Sequence, residues 1–541
     1  MRLRPRLAVS ALAAAALIIS VLSGAPAAQA EEAQTPEIPQ RYLDQEVTWK
    51  TCDWNGEIKE SFDKAPEIKC AMIKVPMDWN NPNHHPDIEL SISRSLPTSE
   101  SSSGLLTANP GGPNIAGVKL PAEMAKGKPW LFERFELVGF DPRGVGESTP
   151  LSCQATNGRL AELTSVPDHK VRNDQTWQAE TDLAQLVASA CGDVEYAEFV
   201  STQQTVYDLD FLRAYFKAEV LNYVGFSYGT WLGAWYADTF PYRVGRFMLD
   251  SNMDWTGDWD SVVAGDGWAF QRRRDGMFFP WLARHHETYK FGKTVEDVAR
   301  SYDEIRSKIA ERSAAGEAVM RPESFDDAVS GGLYGDKFPE VAEAMQYHQK
   351  VAVEGAAAID EDQGAEPSAQ DLVDAAKKAP DTELTTEVDL ADASIAIQCN
   401  DSQWNDLPSY YTSRADQDGA EYPFVGYVNA AEACAFWEYE PTPRTIELSG
   451  PEPILMVQSE GDPATPYEGA RNAHELNRTS TILISLNDNG AHALWSEGYS
   501  PCVEEIGDRF LRDGGYVSES VCEPKPLPHD DQVYAFEGPI G

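Results

Sequence analysis

The chain has 541 residues, and its 87 aspartates and glutamates against 44 lysines and arginines set a formal charge of −43. So acidic a surface repels nucleic acid and anionic membrane, which excludes both as partners and leaves cationic groups as what a long-range field attracts. The length exceeds one typical core, so either two domains or one core interrupted by an insertion is expected.

At the N-terminus Arg2, Arg4 and Arg6 precede an apolar run over residues 7–22, and Ala28-Gln29-Ala30 supplies small residues before Glu31. This predicts a secretory signal peptide over residues 1–30, cleaved after Ala30, and hence a secreted protein. The arginines are not adjacent and no cysteine follows the cleavage point, so neither a twin-arginine route nor a lipid anchor is expected. No later stretch is long and apolar enough to span a bilayer, so no membrane anchor is expected either. Eight cysteines, an even number with no Cys-X-X-Cys and no histidine in metal spacing, favour disulfides over a metal site. Sequential neighbours close the shortest loops, which pairs Cys52 with Cys70, Cys153 with Cys191, Cys399 with Cys434 and Cys502 with Cys522.

Along the chain, a short apolar strand at 104–108 runs into Asn109-Pro110-Gly111-Gly112-Pro113. A second, at 135–140, ends in Asp141-Pro142-Arg143-Gly144, where Asp141 and Arg143 are expected to brace loops as a bidentate pair. A third, at 221–226, passes through Gly225-Phe226-Ser227-Tyr228-Gly229 into the helix-like residues 231–236. That is a nucleophile elbow: a serine on a strained strand-to-helix turn, flanked by glycines that let strand and helix approach. Such a serine needs oxyanion donors, and the N–H of Tyr228 and of Gly112 are the expected pair.

A strand at 244–249 follows and ends at Asp250. The next loop, 252–259, is aromatic and acidic, and Asp254 in it is a candidate to contact a substrate amine. Residues 255–440 carry no motif of the catalytic kind. Stretches 294–314 and 340–358 have helical spacing, whereas 364–378 and 381–389 are acidic and loop-like. An insertion here falls over the C-terminal edge of the sheet, where ligands bind in open α/β folds, so a helical lid is expected.

Beyond the insertion, a strand at 453–458 delivers Asp462 on a Gly/Pro turn, and another at 481–486 leads to His492. The order Ser227, Asp462, His492 is that of an α/β-hydrolase triad, with Asp250 the alternative acid. The expected fold is therefore an α/β-hydrolase with a mostly parallel central sheet: core residues 31–254 and 441–541, with the lid at 255–440. No metal or organic cofactor is needed for this chemistry.

Asn-Pro-Gly-Gly-Pro, Phe-Asp-Pro-Arg-Gly-Val-Gly-Glu-Ser, Gly-Phe-Ser-Tyr-Gly-Thr and Gly-Asp-Pro-Ala-Thr-Pro together resemble the secreted tripeptidyl aminopeptidase family, serine exopeptidases related to prolyl aminopeptidase. Trp49-Lys50-Thr51-Cys52 and Cys434-Ala435-Phe436-Trp437 extend the likeness over nearly the whole chain after residue 30. The resemblance implies release of short peptides, tripeptides foremost, from substrates with free N-termini. The chain departs from the family at Asn114-Ile115-Ala116-Gly117, where small residues are usual, so Ile115 is expected to narrow the acyl pocket or alter specificity. A carboxylesterase with the same triad and a non-catalytic binding protein on this scaffold are the alternatives. Oligomeric state is not legible in the sequence.

Overall fold

The computed structural model describes residues 35–540, apart from 63, 166–167, 318, 359–374, 376, 379–382, 384, 392 and 428–431. The signal-peptide segment lies outside the described residues, as does nearly all of the acidic stretch at 364–378. Twelve strands occur among the described residues: β1 (Lys50–Thr51), β2 (Lys69–Pro76), β3 (Asp87–Ser95), β4 (Leu105–Asn109), β5 (Glu136–Phe140), β6 (Cys153–Thr156), β7 (Leu221–Phe226), β8 (Val244–Asp250), β9 (Glu387–Ala391), β10 (Ile454–Ser459), β11 (Thr481–Leu486) and β12 (Ser520–Cys522).

All but β6 and β9 form one sheet in the order β1-β2-β3-β5-β4-β7-β8-β10-β11-β12. Neighbours pair antiparallel from β1 to β5 and parallel from β5 to β12. Every residue of β4, β7, β10 and β11 is buried. A parallel strand covered on both faces has no need of polar alternation, which is why these segments are near-continuous apolar runs. Successive side chains still part to opposite sides. Leu105, Tyr223, Leu249 and Met456 enter one apolar cluster with helices Thr202–Tyr215 and Tyr228–Thr239. Leu106, Val224, Met248 and Leu455 enter the other with helices Leu120–Gly127 and Pro501–Asp513. Each such side chain contributes about 1.5–3 kcal/mol by burial. The architecture is the α/β-hydrolase fold.

Between β8 and β10 the chain is mainly helical and builds an apolar cluster of its own around Phe278, Trp281, Ile305, Phe325, Phe338 and Met345. The helix Val295–Ala314 begins where Thr294 accepts the Asp297 N–H, and Phe338–Glu354 continues as a 3₁₀ turn over Gly355–Ala358. The helix Trp259–Arg273 opens on a reciprocal cap between Asp258 and Ser261.

Two features depart from expectation. The stretch at 381–389 is not simply a loop, because Glu387–Ala391 is β9, antiparallel to β6. Val388 and Leu390 pack on Ala155, Leu160 and Leu186 while Glu387 is exposed, an alternation hidden by the acidic composition. The segment around β6 and the helix Asp174–Gly192 precedes the elbow yet packs with the insertion, through Val187, Ala188 and Ala433.

Four disulfides join Cys52 to Cys70, Cys153 to Cys191, Cys399 to Cys434 and Cys502 to Cys522. The Cys399–Cys434 bridge spans 35 residues of sequence and anchors the end of the insertion. Its replacement by two serines is expected to lower the unfolding free energy by about 3–4 kcal/mol, measured in urea.

Candidate active site

Ser227 stands between β7 and the helix Tyr228–Thr239 with φ 55° and ψ −125°. A non-glycine residue there carries strain of about 1–3 kcal/mol, tolerable only where the surroundings enforce it. A Cβ on Gly225 would lie 2.3 Å from the Gly229 carbonyl oxygen, and one on Gly229 would lie 2.6 Å from that of Asn109. Only glycine fits at both. The Ser227 N–H donates to the Asp250 carbonyl at 3.1 Å, and the Ser227 carbonyl accepts from Thr230 N and Oγ1 at 2.8 and 2.6 Å.

Asp462 is fully buried on the turn after β10. Its Oδ1 accepts the N–H of Ala464 and Thr465 at 3.0 and 2.9 Å, and its Oδ2 accepts the Thr465 hydroxyl at 3.0 Å. His492 Nδ1 donates to the same carboxylate at 2.9–3.0 Å. That bond holds the proton on Nδ1 and leaves Nε2 as the basic nitrogen. Burial works against charging the ring, but the paired Asp462, with Asp250 and Asp266 farther off, outweighs it and raises the His492 pKa above its ordinary value.

Asp250, the alternative acid, does not bond the imidazole. Its carboxylate accepts the N–H of Leu494 at 2.9–3.0 Å and of Trp495 at 2.6 Å. Burial pushes its pKa up to about 7 despite those bonds. One residue thus holds the Ser227 turn by its carbonyl and the histidine loop by its carboxylate.

The glycine-rich loop after β4 presses on the elbow. A Cβ on Gly111 would come within 2.8 Å of the Ser227 Cβ, and Gly112, at φ 111°, precedes a cis bond to Pro113. Tyr228 is the first helical residue, so its N–H has no acceptor within the helix. Its ring stacks on Trp259 at 6.0 Å and its hydroxyl meets Thr202 Oγ1 at 2.6 Å. Ile115, expected to narrow the pocket, is 51 % exposed.

Asp254 is not drawn into this group. Its carboxylate is bonded to the Thr256 hydroxyl at 2.5 Å and to Asn472 Nδ2 at 2.9 Å, because the loop after β8 folds against the helix Tyr467–Leu476. Nor do Asp141 and Arg143 pair with each other. Asp141 accepts the N–H of Val118 and Glu147, while Arg143 forms a buried two-bond pair with Asp208, 2.8 Å at each contact. Both brace loops, but with different partners.

Asp266 and Tyr334 interact with Asp462 or His492, and Glu432 acts on Asp266; the sequence singled out none of them. Asp266, on the helix Trp259–Arg273, has its pKa pushed up to about 8 by burial, with Glu432 and Asp462 adding to it. Glu432 is pushed up to about 7 by burial, opposed by Arg414 and reinforced by Asp260. Among the described residues no cation pairs with Asp266. Tyr334 lies edge-on to the His492 ring at 5.4 Å, and its carbonyl accepts the His492 N–H at 2.6 Å. A lone Asp on a polar helix position looks like solvated surface, so no local signal marked Asp266.

A family described as alpha/beta hydrolase fold matches residues 108–349, and one described as TAP-like protein matches residues 422–522. Tripeptidyl aminopeptidase of Streptomyces coelicolor is 31% identical over 505 residues, covering 89% of this chain and 87% of its own. The chain belongs to the tripeptidyl aminopeptidase family. It is a serine peptidase of the α/β-hydrolase type. Serine protease Hip1 of Mycobacterium tuberculosis is 24% identical, covering 87% of this chain and 90% of its own. Carboxylesterase B of the same species is 25% identical over 91% and 92%.

The raised carboxyls have a thermodynamic consequence. Asp250, Asp266 and Glu432 hold their protons to about pH 7, 8 and 7 when folded, against ordinary values of 3.8, 3.8 and 4.5. The folded chain therefore binds more protons than the unfolded one in this window, and the contribution of these groups to stability falls as pH rises from about 4 to about 8. Urea midpoints at about pH 5 and about pH 8 are expected to lie closer together in Asp266→Asn than in the parent.

Proposed function

We propose that this chain is a secreted exopeptidase that releases short peptides, tripeptides foremost, from free N-termini, with Ser227, His492 and Asp462 as its triad. His492 Nε2 takes the Ser227 proton as Oγ attacks the peptide carbonyl, and Asp462 stabilises the imidazolium. The oxyanion is directed at the N–H groups of Gly112 and Tyr228. His492 then gives its proton to the departing amine, and water, activated by the same imidazole, releases the acyl peptide and restores Ser227.

The observation that carries the free-amine reading is the acidic group beside the triad. Asp266 has no cationic partner among the described residues, Glu432 reaches only Arg414, at 4.0 Å, and both belong to the insertion that acts as the lid. A substrate ammonium supplies the missing charge; an N-acetylated one cannot, and leaves the carboxylates unpaired. The signal-peptide pattern and four disulfides support secretion. Among the described residues no helix is long and apolar enough to cross a membrane.

Three substrates test the reading: a tripeptide p-nitroanilide with a free amine, its N-acetyl twin, and a short-chain p-nitrophenyl ester. The expected outcome is turnover of the first alone, reduced at least about 10⁴-fold in Ser227→Ala. Ester turnover with both peptides inert would instead assign a carboxylesterase. Asp266→Asn is expected to cost about 10–100-fold in kcat/KM on the free-amine peptide, the worth of one charged hydrogen bond. Any residual activity on the N-acetyl twin should be unaffected.

A further inference from the structure

After β12 the chain runs through residues 523–540 without helix or strand. Tails of that kind ordinarily fray. This one is bonded along its length, first to the insertion. Trp281 Nε1 donates to the Pro528 carbonyl at 2.7 Å. The Asp530 carboxylate, 3% exposed, takes Arg284 at 2.6 and 3.2 Å and His285 Nε2 at 2.9 Å. The Arg284 guanidinium also lies 3.9 Å from the centre of the Tyr534 ring.

Farther along, the tail reaches both loops that carry the triad. Phe536 is buried in the insertion's apolar cluster, and a Cβ on Gly461 would lie 3.0 Å from its ring and 3.3 Å from the Met277 methyl. The Phe536 N–H donates to Asp488 Oδ1 at 2.8 Å, on the loop that ends in His492. The Ile540 N–H donates to Glu460 Oε1 at 2.7 Å, two residues before Asp462. Glu460 Oε2 in turn accepts the Asp488 N–H at 2.9 Å, so the two loops and the tail form one bonded unit.

The insertion also touches the histidine loop directly. The Tyr334 carbonyl accepts the His492 N–H at 2.6 Å. Asp336 accepts Asn489 Nδ2 at 3.1 Å on one oxygen and Arg273 Nη2 at 2.7 Å on the other. Movement of the insertion therefore pulls on the main chain of His492 itself.

We propose that the C-terminal tail is a strap: it fastens the lid to the loops of Asp462 and His492, so that lid seating sets the position of the catalytic imidazole. Glu460 and Asp488 are its positioning residues on the core side, and Asp530 is its anchor on the lid. The proposal rests on the triad reading and extends it, because it makes the rate depend on residues that never meet substrate.

A chain ending at Pro526 tests it, with circular dichroism to verify folding. Three quantities are read: kcat and KM on the free-amine tripeptide anilide, the rate at which a serine-directed phosphonate labels Ser227, and hydrogen exchange of residues 486–494. Misplacing a general base costs a rate factor of about tenfold or more. Both kcat and labelling are expected to fall by that factor, KM to move by less than about threefold, and exchange in the loop to quicken. A synthetic peptide of residues 525–541, added in excess, is expected to restore the rate. A folded truncation with unchanged kcat and labelling overturns the strap. If the truncated chain does not fold, Phe536→Ala and Asp530→Asn in the full chain replace it, with the same expected losses, and unchanged rates again overturn it. If the parent protein cleaves no peptide, the exopeptidase reading fails while labelling and exchange still decide the strap.

Discussion

Ser227 and His492 belong to different loops of the sheet, and one buried residue, Asp250, is bonded to both loops. Its carbonyl holds the elbow's N–H, and its carboxylate gathers the N–H groups of Leu494 and Trp495 just past the histidine. Because Asp250 ends a central strand fixed by parallel pairing on either side, the separation of Ser227 and His492 inherits the rigidity of the sheet. The strained backbone at Ser227 is sustained by the same arrangement. A carboxyl so deeply buried is costly in its charged form, which is why its pKa rises.

Burial organises the electrostatics of the whole site. Asp462 stands among main-chain N–H donors and the imidazole, and is matched on every side. Asp266 has no cationic partner among the described residues and Glu432 only Arg414, at 4.0 Å, and burial raises the pKa of both. Carboxyls thus stand in two settings here, one bonded to main-chain N–H groups and the imidazole, the other short of cationic partners. The net charge of −43 supplies a long-range field of matching sign.

Legibility followed the range of the interactions. The elbow, the acid turn and the histidine loop could be read because each is a strand followed by a turn, and the glycines and prolines of a turn act on neighbouring residues. Asp254 was singled out on the same kind of signal, its place directly after a strand, whereas the partner its carboxylate finds, Asn472, comes from a distant helix. Asp141 and Arg143 were legible as loop braces, whereas Asp208, the true partner of Arg143, lies on a helix that no local pattern connects to it. Strand β9 was hidden because its acidic residues resemble a solvated loop until β6 is laid beside it.

The sequence by itself determined the fold class and the strand-and-turn settings of Ser227, Asp462 and His492, because strand periodicity and turn chemistry are properties of contiguous chain. Only the tertiary structure decided that Asp462 rather than Asp250 holds the imidazole, that the Asp254 carboxylate turns to Asn472, and that the tail reaches the loops of Asp462 and His492. Those outcomes depend on which carboxylates lose their water and which main-chain N–H groups meet them, and both are fixed only when segments far apart in sequence pack together.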